Sequence, residues 1–545
     1  MQHRIAILLL SAALTSFPVC AQANSTLDGI VADRVTGLGI PNIRLAFSSI
    51  QGGPYSAITG SDGRFRITGM VPGIFESRVD SLGYQPFRRG PSKVELAPLG
   101  TTHLRVELTK EIAIRGRVVD DQGKPVPGVP VRYTGSGAPE AITNDRGEFV
   151  MTTSRLGSSL VMAKPNLNLK TNASGELVSM VTTYFPSAIN PMDAQRILVR
   201  GDADIENLEI RLQSVAMHRV QGFVVDESGR PKQGVTVQLF PLTQQDALIN
   251  WINSRSMNGV VAGMVQIIGP GVRVGTQEAQ TITSADGTFE FPSVHSGDWK
   301  MTASDSNSPI YSNTTRVGAI STFVGRGDVL GLELRLSAPF TLTATAAFPA
   351  TSGKPTDAPR FAISLTAADG SVPSWSALPS YLPDGAFQLP GIQPGKYFVN
   401  PPRTAGPLGG GGYYVSSIML GGGEVVGRAV ELAAGTPPIR VVYSPALGVI
   451  RGKVTNSDAA MVILLPQDLS GIKTGYFADV DKDGLFELGS LPPGDYCLAA
   501  FDRLEWDSLG NDPLVVRQVI ARGKHIKIEP ASQISVELAA IRWPE

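Results

Sequence analysis

The sequence predicts an all-β chain folded as a tandem array of about five small β-sandwiches. Three observations carry this. A Gly-x-Phe-x-apolar pentad occurs five times, and a second glycine follows each one ten residues after the first. Short runs of strict apolar/polar alternation, the period of a half-buried strand, lie between Gly- and Pro-rich turns. With 59 Gly, 40 Pro and only 17% charged residues, the composition suits short strands and tight turns better than helices. The length of 545 residues would alone suggest roughly three to four domains. Five copies of one pattern at fixed spacing argue instead for five smaller ones.

Each repeat except the fourth opens on a recognisable strand: Leu27–Asp33, Ile114–Asp120, Val220–Asp226 and Ile450–Thr455, all with glycine at the third position. A turn and a second alternating run follow, as in Val129–Tyr133 and Val235–Leu239. Next comes the pentad, at Gly63–Ile67, Gly147–Met151, Gly287–Phe291, Gly385–Leu389 and Gly484–Leu488. An Asp precedes each first glycine by one or two positions (Asp62, Asp145, Asp286, Asp384, Asp483). The Asp and Gly read as a hairpin turn with positive φ, and Phe with the apolar residue two positions on reads as the core side of a strand. A second turn closes on Gly73, Gly157, Gly297, Gly395 or Gly494. Another strand follows, such as Trp299–Ala303 or Tyr496–Ala499, and the repeat ends on a longer alternating strand, such as Leu104–Thr109, Leu208–Leu212 or Leu332–Leu336.

The expected boundaries are 24–109, 110–214, 215–337, 338–444 and 445–545. The fourth repeat diverges in front, where Thr341–Ala346 replaces the usual opening. Two insertions stand out, at 165–200 in the second repeat and 242–280 in the third. Within the latter, Ala247–Met257 is expected as a short helix and the Gly-rich remainder as a long loop, a common place for binding.

The first 23 residues have the layout of a secretory signal peptide. Met1–Arg4 is basic, Ile5–Phe17 is mostly apolar, and cleavage sites follow at Val19-Cys20-Ala21 or Ala21-Gln22-Ala23. Thirteen residues are too few to span a bilayer. The mature chain is therefore expected to be exported, without a transmembrane segment, to the periplasm, cell surface or exterior. Cys20 leaves with the leader unless it is lipidated, although Phe17-Pro18-Val19 does not resemble the small residues that precede a lipidated Cys. Cys497 then has no disulfide partner, and its apolar run Tyr496–Ala500 suits a buried, inert thiol. A net charge of -1 supplies no field for nucleic acid.

Taken together these residues resemble the carboxypeptidase regulatory-like domain, a transthyretin-like, Ig-like sandwich also grouped with carbohydrate-binding-like and collagen-adhesin B-type folds. Gly116, Val118, Asp120, Gly123, Pro125, Gly128 and Val131 match its front half. Thr474, Asp483, Gly484, Phe486, Leu488, Leu491, Pro493, Gly494 and Tyr496 match its back half. The resemblance covers nearly the whole mature chain and is similar to multi-copy versions secreted by bacteria. It implies the fold, and it implies little about ligand. The zinc peptidase domain that accompanies it in carboxypeptidases is absent.

The chemistry-bearing residues assign no catalytic residue, metal ligand or cofactor. His3, His103, His218, His295 and His525 form no H-x-x-E or H-E-x-x-H spacing, so a zinc peptidase is excluded. No G-x-S-x-G elbow and no phosphate-binding loop with its Lys-Ser/Thr occurs. Asp479, Asp481 and Asp483 before Gly484 imitate the start of a calcium loop, yet its twelfth position is Ser490 and the other copies turn without this ladder. An acidic hairpin turn is the simpler reading. Trp251, Trp375, Tyr381, Tyr413, Tyr414 and Trp506 lie outside the repeated core positions and could stack on sugars or pack as partly buried side chains. The leading functional reading is a non-enzymatic exported scaffold or adhesion and interaction protein. The alternative is a carbohydrate-binding protein of the envelope or extracellular space. Either takes a protein or polysaccharide partner at the envelope.

Overall fold

The computed structural model describes residues 24–543 except 50–51, 87–92, 134–139, 192, 246–247, 258–259, 269–270, 275–278, 306–313, 349–362, 369–379, 383–385, 401–412, 458–459, 469–471, 482, 503 and 505–512; between 243 and 278 it describes backbone only. Residues 1–23, expected as a leader and including His3 and Cys20, lie outside the described residues, as do Trp375, Trp506 and Gly385. The chain is all-β, with one helix, Pro513–Arg522, among the described residues. Contacts divide it into two units, Met1–Glu111 and Ile112–Glu545.

One arrangement recurs five times. In the first unit the opening strand Ser25–Asp33 lies between the pentad strand Arg64–Met70, antiparallel, and the closing strand Thr101–Lys110, parallel. The same trio appears four times in the second unit. Ile112–Val119 lies between Glu148–Thr153 and Ile205–Arg211, and Ser214–Val225 between Thr288–His295 and Val329–Arg335. Phe340–Ala347 lies between Ala386–Ile392 and Ile439–Ser444, and Gly448–Val454 between Leu485–Leu491 and Gln533–Leu538. The fourth repeat, whose opening the sequence left unrecognised, thus has the same trio as the others.

Most of the remaining strands make a second sheet in each repeat. In the third, Thr236–Gln245 pairs with Ala279–Ile282 and Gly297–Ser304, and the latter pairs with Val317–Val324. In the fifth, Ala460–Pro466 lies between Ile472–Asp479 and Gly494–Asp502, which in turn pairs with Lys524–Ile528. The two sheets enclose the apolar residues of the alternating runs. In the third repeat Val220, Val237, Phe289, Phe291, Trp299 and Leu334 are all 3% exposed or less.

Phe and Gly of the repeat are cross-strand partners: Gly29↔Phe65, Gly116↔Phe149, Gly222↔Phe289 and Gly452↔Phe486. A Cβ on the four opening glycines would stand 2.0, 2.2, 2.3 and 2.2 Å from the closing-strand carbonyl oxygens of Leu104, Leu208, Leu332 and Val536, and under 3.0 Å from the Phe ring. The missing side chain therefore lets the closing strand approach on one side while the ring covers the backbone on the other. In the fourth repeat Ala344 faces Phe387. There the parallel ladder begins at Ala344↔Ile439, whereas in the others it starts before the glycine.

Two expectations are corrected. Ala247–Met257 is no helix: Leu248–Met257 is a strand, paired from Leu248↔Ile268 to Met257↔Val260 with Val260–Ile268. The Gly-rich remainder continues this ribbon, which reaches the fifth repeat, where Ala262–Ile268 pairs antiparallel with Ile472–Ala478. Helix Pro513–Arg522, for which the sequence reading made no assignment, buries Val515, Val516 and Val519. The 165–200 insertion also supplies strands. Its Leu177–Met180 pairs with Ser214–Ala216, at the start of the third repeat's opening strand.

Candidate functional site

The acidic residues of the repeat are used by its turns. In the pentad turn the glycine has φ between 72° and 78° in repeats one, two, three and five, and its N–H reaches the carbonyl three residues back. The side chain holding the turn differs among copies. Asp62 Oδ1 accepts from Arg64 N at 3.0 Å, and Asp286 Oδ1 accepts from Thr288 N at 3.1 Å. In the second repeat Asn144 Oδ1 takes this part, accepting from Arg146 N and Glu148 N, both at 2.9 Å. The Asp that ends the opening strand does likewise: Asp226 Oδ1 accepts from Ser228 N and Arg230 N. At Asp286 and Asp226 these bonds favour the ionised carboxylate. Asp286 is held down to about 2, first by the Ser284 hydroxyl and then by Thr288, and Asp226 lies lower still, with the Ser228 hydroxyl as the largest cause.

The Asp479–Asp483 ladder has the same explanation. Asp481 Oδ1 accepts from Asp483 N at 2.9 Å and Leu485 N at 2.8 Å, which makes it the turn residue. Asp479 is buried at 6% exposure on the preceding strand, while Asp483 is exposed. The three carboxylates thus lie in three different settings. Among the described residues no group of three or more His, Cys, Asp or Glu could hold a metal ion.

The histidines are likewise apart. His103 contacts Asp28 on the neighbouring strand, and His295 donates from Nδ1 to Ser296 O at 2.8 Å while its ring stands edge-on to Trp299. His525 Nδ1 lies 3.8 Å from Cys497 Sγ. Cys497 is fully buried, and burial pushes its thiol up, away from the reactive thiolate. Of the off-repeat aromatics, Tyr413 packs edge-on to Phe348, which stacks on buried Tyr443. Tyr414 raises the pKa of Tyr496, whose main cause is burial. Tyr381 and Trp251 lie on strands, Ser380–Tyr381 and Leu248–Met257.

Two features escaped the sequence reading. Thr59, Thr143 and Thr283, four positions before the pentad glycine, are buried, and each hydroxyl bridges two backbone groups. Thr143 Oγ1 donates to Val126 O at 2.8 Å and accepts from Val129 N at 2.9 Å, for example. The fifth repeat has Val480 at that place; Thr474, among the residues that carry the family resemblance, lies elsewhere, paired with Gln266 of the ribbon. The second feature is the ribbon. Its signal was present, since Asn258-Gly259 is the pair that most favours a two-residue hairpin and joins two runs of nine or ten residues.

What the repeats do not share is therefore found at sheet edges. Two repeats already receive strands from elsewhere: the fifth from the 242–280 insertion and the third from the 165–200 insertion.

No protein-family model matches the chain, and no curated protein matches it. Among solved structures, the Bacillus anthracis TIE protein is similar at 10% identity and TM-score 0.18, over 58% of this chain and 51% of that one. The chain thus spans about half the length of that protein. The Streptococcal ancillary pilin is similar at 11% identity and TM-score 0.19, over 58% of this chain and 99% of that one. BcpA, the major pilin subunit of Bacillus cereus, is similar at 10% identity and TM-score 0.15, over 58% and 100%. Likeness at this level carries no statement about ligand or partner.

Proposed function

We propose that this chain is a non-enzymatic, exported scaffold of five β-sandwich domains, bounded near residues 109, 214, 337 and 444, that engages protein partners by strand addition. The observation that supports it most is the ribbon from the third repeat seated on the edge of the fifth, Ala262–Ile268 against Ile472–Ala478. Backbone pairing of this kind gives affinity with little demand on side chains. It therefore suits a chain whose repeated residues are spent on turns and core. No described helix is long and apolar enough to cross a membrane.

The test is capture of partners from the native envelope by the full chain, with a panel of envelope polysaccharides run beside it. The proposal expects a protein partner retained by the wild type and weakened by a Lys placed in an edge strand. Retention of polysaccharide alone, unaffected by such a Lys, would transfer the reading to carbohydrate binding. A reproducible hydrolase activity lost on changing one carboxylate would overturn it.

A further inference from the structure

Every repeat ends its second sheet on a strand at the same place in the fold, next to the strand that follows the pentad. The five copies form an internal comparison. In the first repeat this edge strand is Lys93–Leu96, in the second Ile197–Val199, in the fourth Ala429–Leu432 and in the fifth Lys524–Ile528, each paired at its end with the repeat's second glycine. These are three to five residues long, and all but the three-residue Ile197–Val199 carry at least one charge, from Lys93, Glu95, Glu431, Lys524 or Lys527. Short length and charge are the usual protections of a sheet edge against pairing with another chain.

The third repeat lacks both. Its edge strand Val317–Val324 has eight residues, Val-Gly-Ala-Ile-Ser-Thr-Phe-Val, with no charge and no proline. It pairs along its whole length with Gly297–Ser304 on one side. On the other side only its first residue is bonded among the described residues, through Val317 N to Ser337 O and Ser337 N to Val317 O. Gly318 is covered by Arg335, whose carbonyl oxygen a Cβ there would meet at 2.6 Å. Among the described residues Ala319–Val324 is an open edge. On its outer face Ser321 is exposed and Phe323 is 65% exposed, one of the largest apolar side chains at the surface.

We infer that Ala319–Phe323 is a homotypic docking edge, which pairs antiparallel with the same strand of a second copy. This rests on the strand-addition reading above and names one partner for it. A two-fold axis normal to the sheet puts residues of equal parity opposite one another. Centred on Ser321, it opposes Ala319 with Phe323, and Ile320 with Thr322, leaving the covered end at Val317–Gly318 outside the pairing. The strand carries no charge, so the self-pairing meets no like-charge opposition, and each exposed Phe323 gains the partner's Ala319 as a cross-strand neighbour.

The experiment uses the full chain. Sedimentation velocity at high micromolar concentration is expected to show a concentration-dependent dimer. Ser321→Lys, at an exposed position, places two ammonium groups face to face on the axis and should weaken dimerisation by up to about fivefold. Ser321→Cys should yield a reduction-sensitive covalent dimer that the wild type does not form, because paired residues across an antiparallel ladder lie about 4.5–5.5 Å apart at Cα. Three results would overturn the inference. One is a wild-type monomer whose Ala319–Val324 amides exchange freely, which leaves the scaffold reading to other partners. Another is a monomer with those amides protected, the edge being covered by its own chain. The third is a dimer indifferent to Ser321→Lys and uncrosslinked by Ser321→Cys.

Discussion

Gly222→Ala is the sharpest perturbation of the repeat. The added Cβ would stand 2.3 Å from Leu332 O, 2.9 Å from Leu332 Cβ and 2.7 Å from the Phe289 ring. Side-chain Cβ atoms do not approach other heavy atoms under 3.0 Å, so the closing strand must retreat by the better part of an ångström. The obstacle is a backbone carbonyl in a parallel ladder, and no rotamer change relieves it. Overpacking of this kind costs about 1–3 kcal/mol. Against it stands a gain of about 0.5–1 kcal/mol from stiffening the unfolded chain, so a net loss of about 1–2 kcal/mol is expected. That is a roughly five- to thirty-fold faster opening of the third repeat. Native-state hydrogen exchange read by mass spectrometry resolves it on peptides covering Ser214–Val225 and Val329–Arg335, with fifth-repeat peptides as reference. Gly327→Ala, which adds a Cβ in open space in the same repeat, is the control and should stay within about 0.5 kcal/mol. A Gly222→Ala chain as protected as wild type would refute the close-approach argument. Truncating Phe289 alongside should not rescue it, because the carbonyl remains.

The other expectations concern the turns and the core. Thr143→Val keeps the shape, as Val480 does in the fifth repeat, but removes a hydroxyl that serves Val126 O and Val129 N. It should destabilise the second repeat by about 2 kcal/mol, seen as lost exchange protection there. Asp286 has a folded pKa of about 2 against 3.8 unperturbed. Its contribution is therefore present above the unfolded value and lost as pH falls through that window. In Asp286→Asn the acid-unfolding profile of the third repeat should flatten between those values, and an unchanged profile would remove the role assigned to the carboxylate. Cys497, buried and with a raised pKa, should resist alkylation in the native chain and react fully in denaturant.

The pentad was legible because its parts obey local rules. A glycine at positive φ and a Phe two positions later produce the same hairpin wherever they occur, and Phe65, Phe149, Phe289, Phe387 and Phe486 are all buried. The opening glycine was legible as a motif, but its reason was not, because that reason is a carbonyl some 75 to 110 residues away. Ala247–Met257 was misread because its apolar spacing fits a helix as well as a strand. What decides it is pairing with Val260–Ile268 and, beyond that, the fifth repeat's edge. The open edge at Val317–Val324 becomes visible only beside its four counterparts, once the sheets are known.

Amide protection in the complex tests the central claim most directly. The full chain is compared by hydrogen exchange alone and bound to the partner captured from the envelope. The account predicts new protection concentrated in a run of consecutive backbone amides along an edge strand, Val317–Val324 or Leu248–Met257. Protection confined to loops, with every edge strand unchanged, would contradict it.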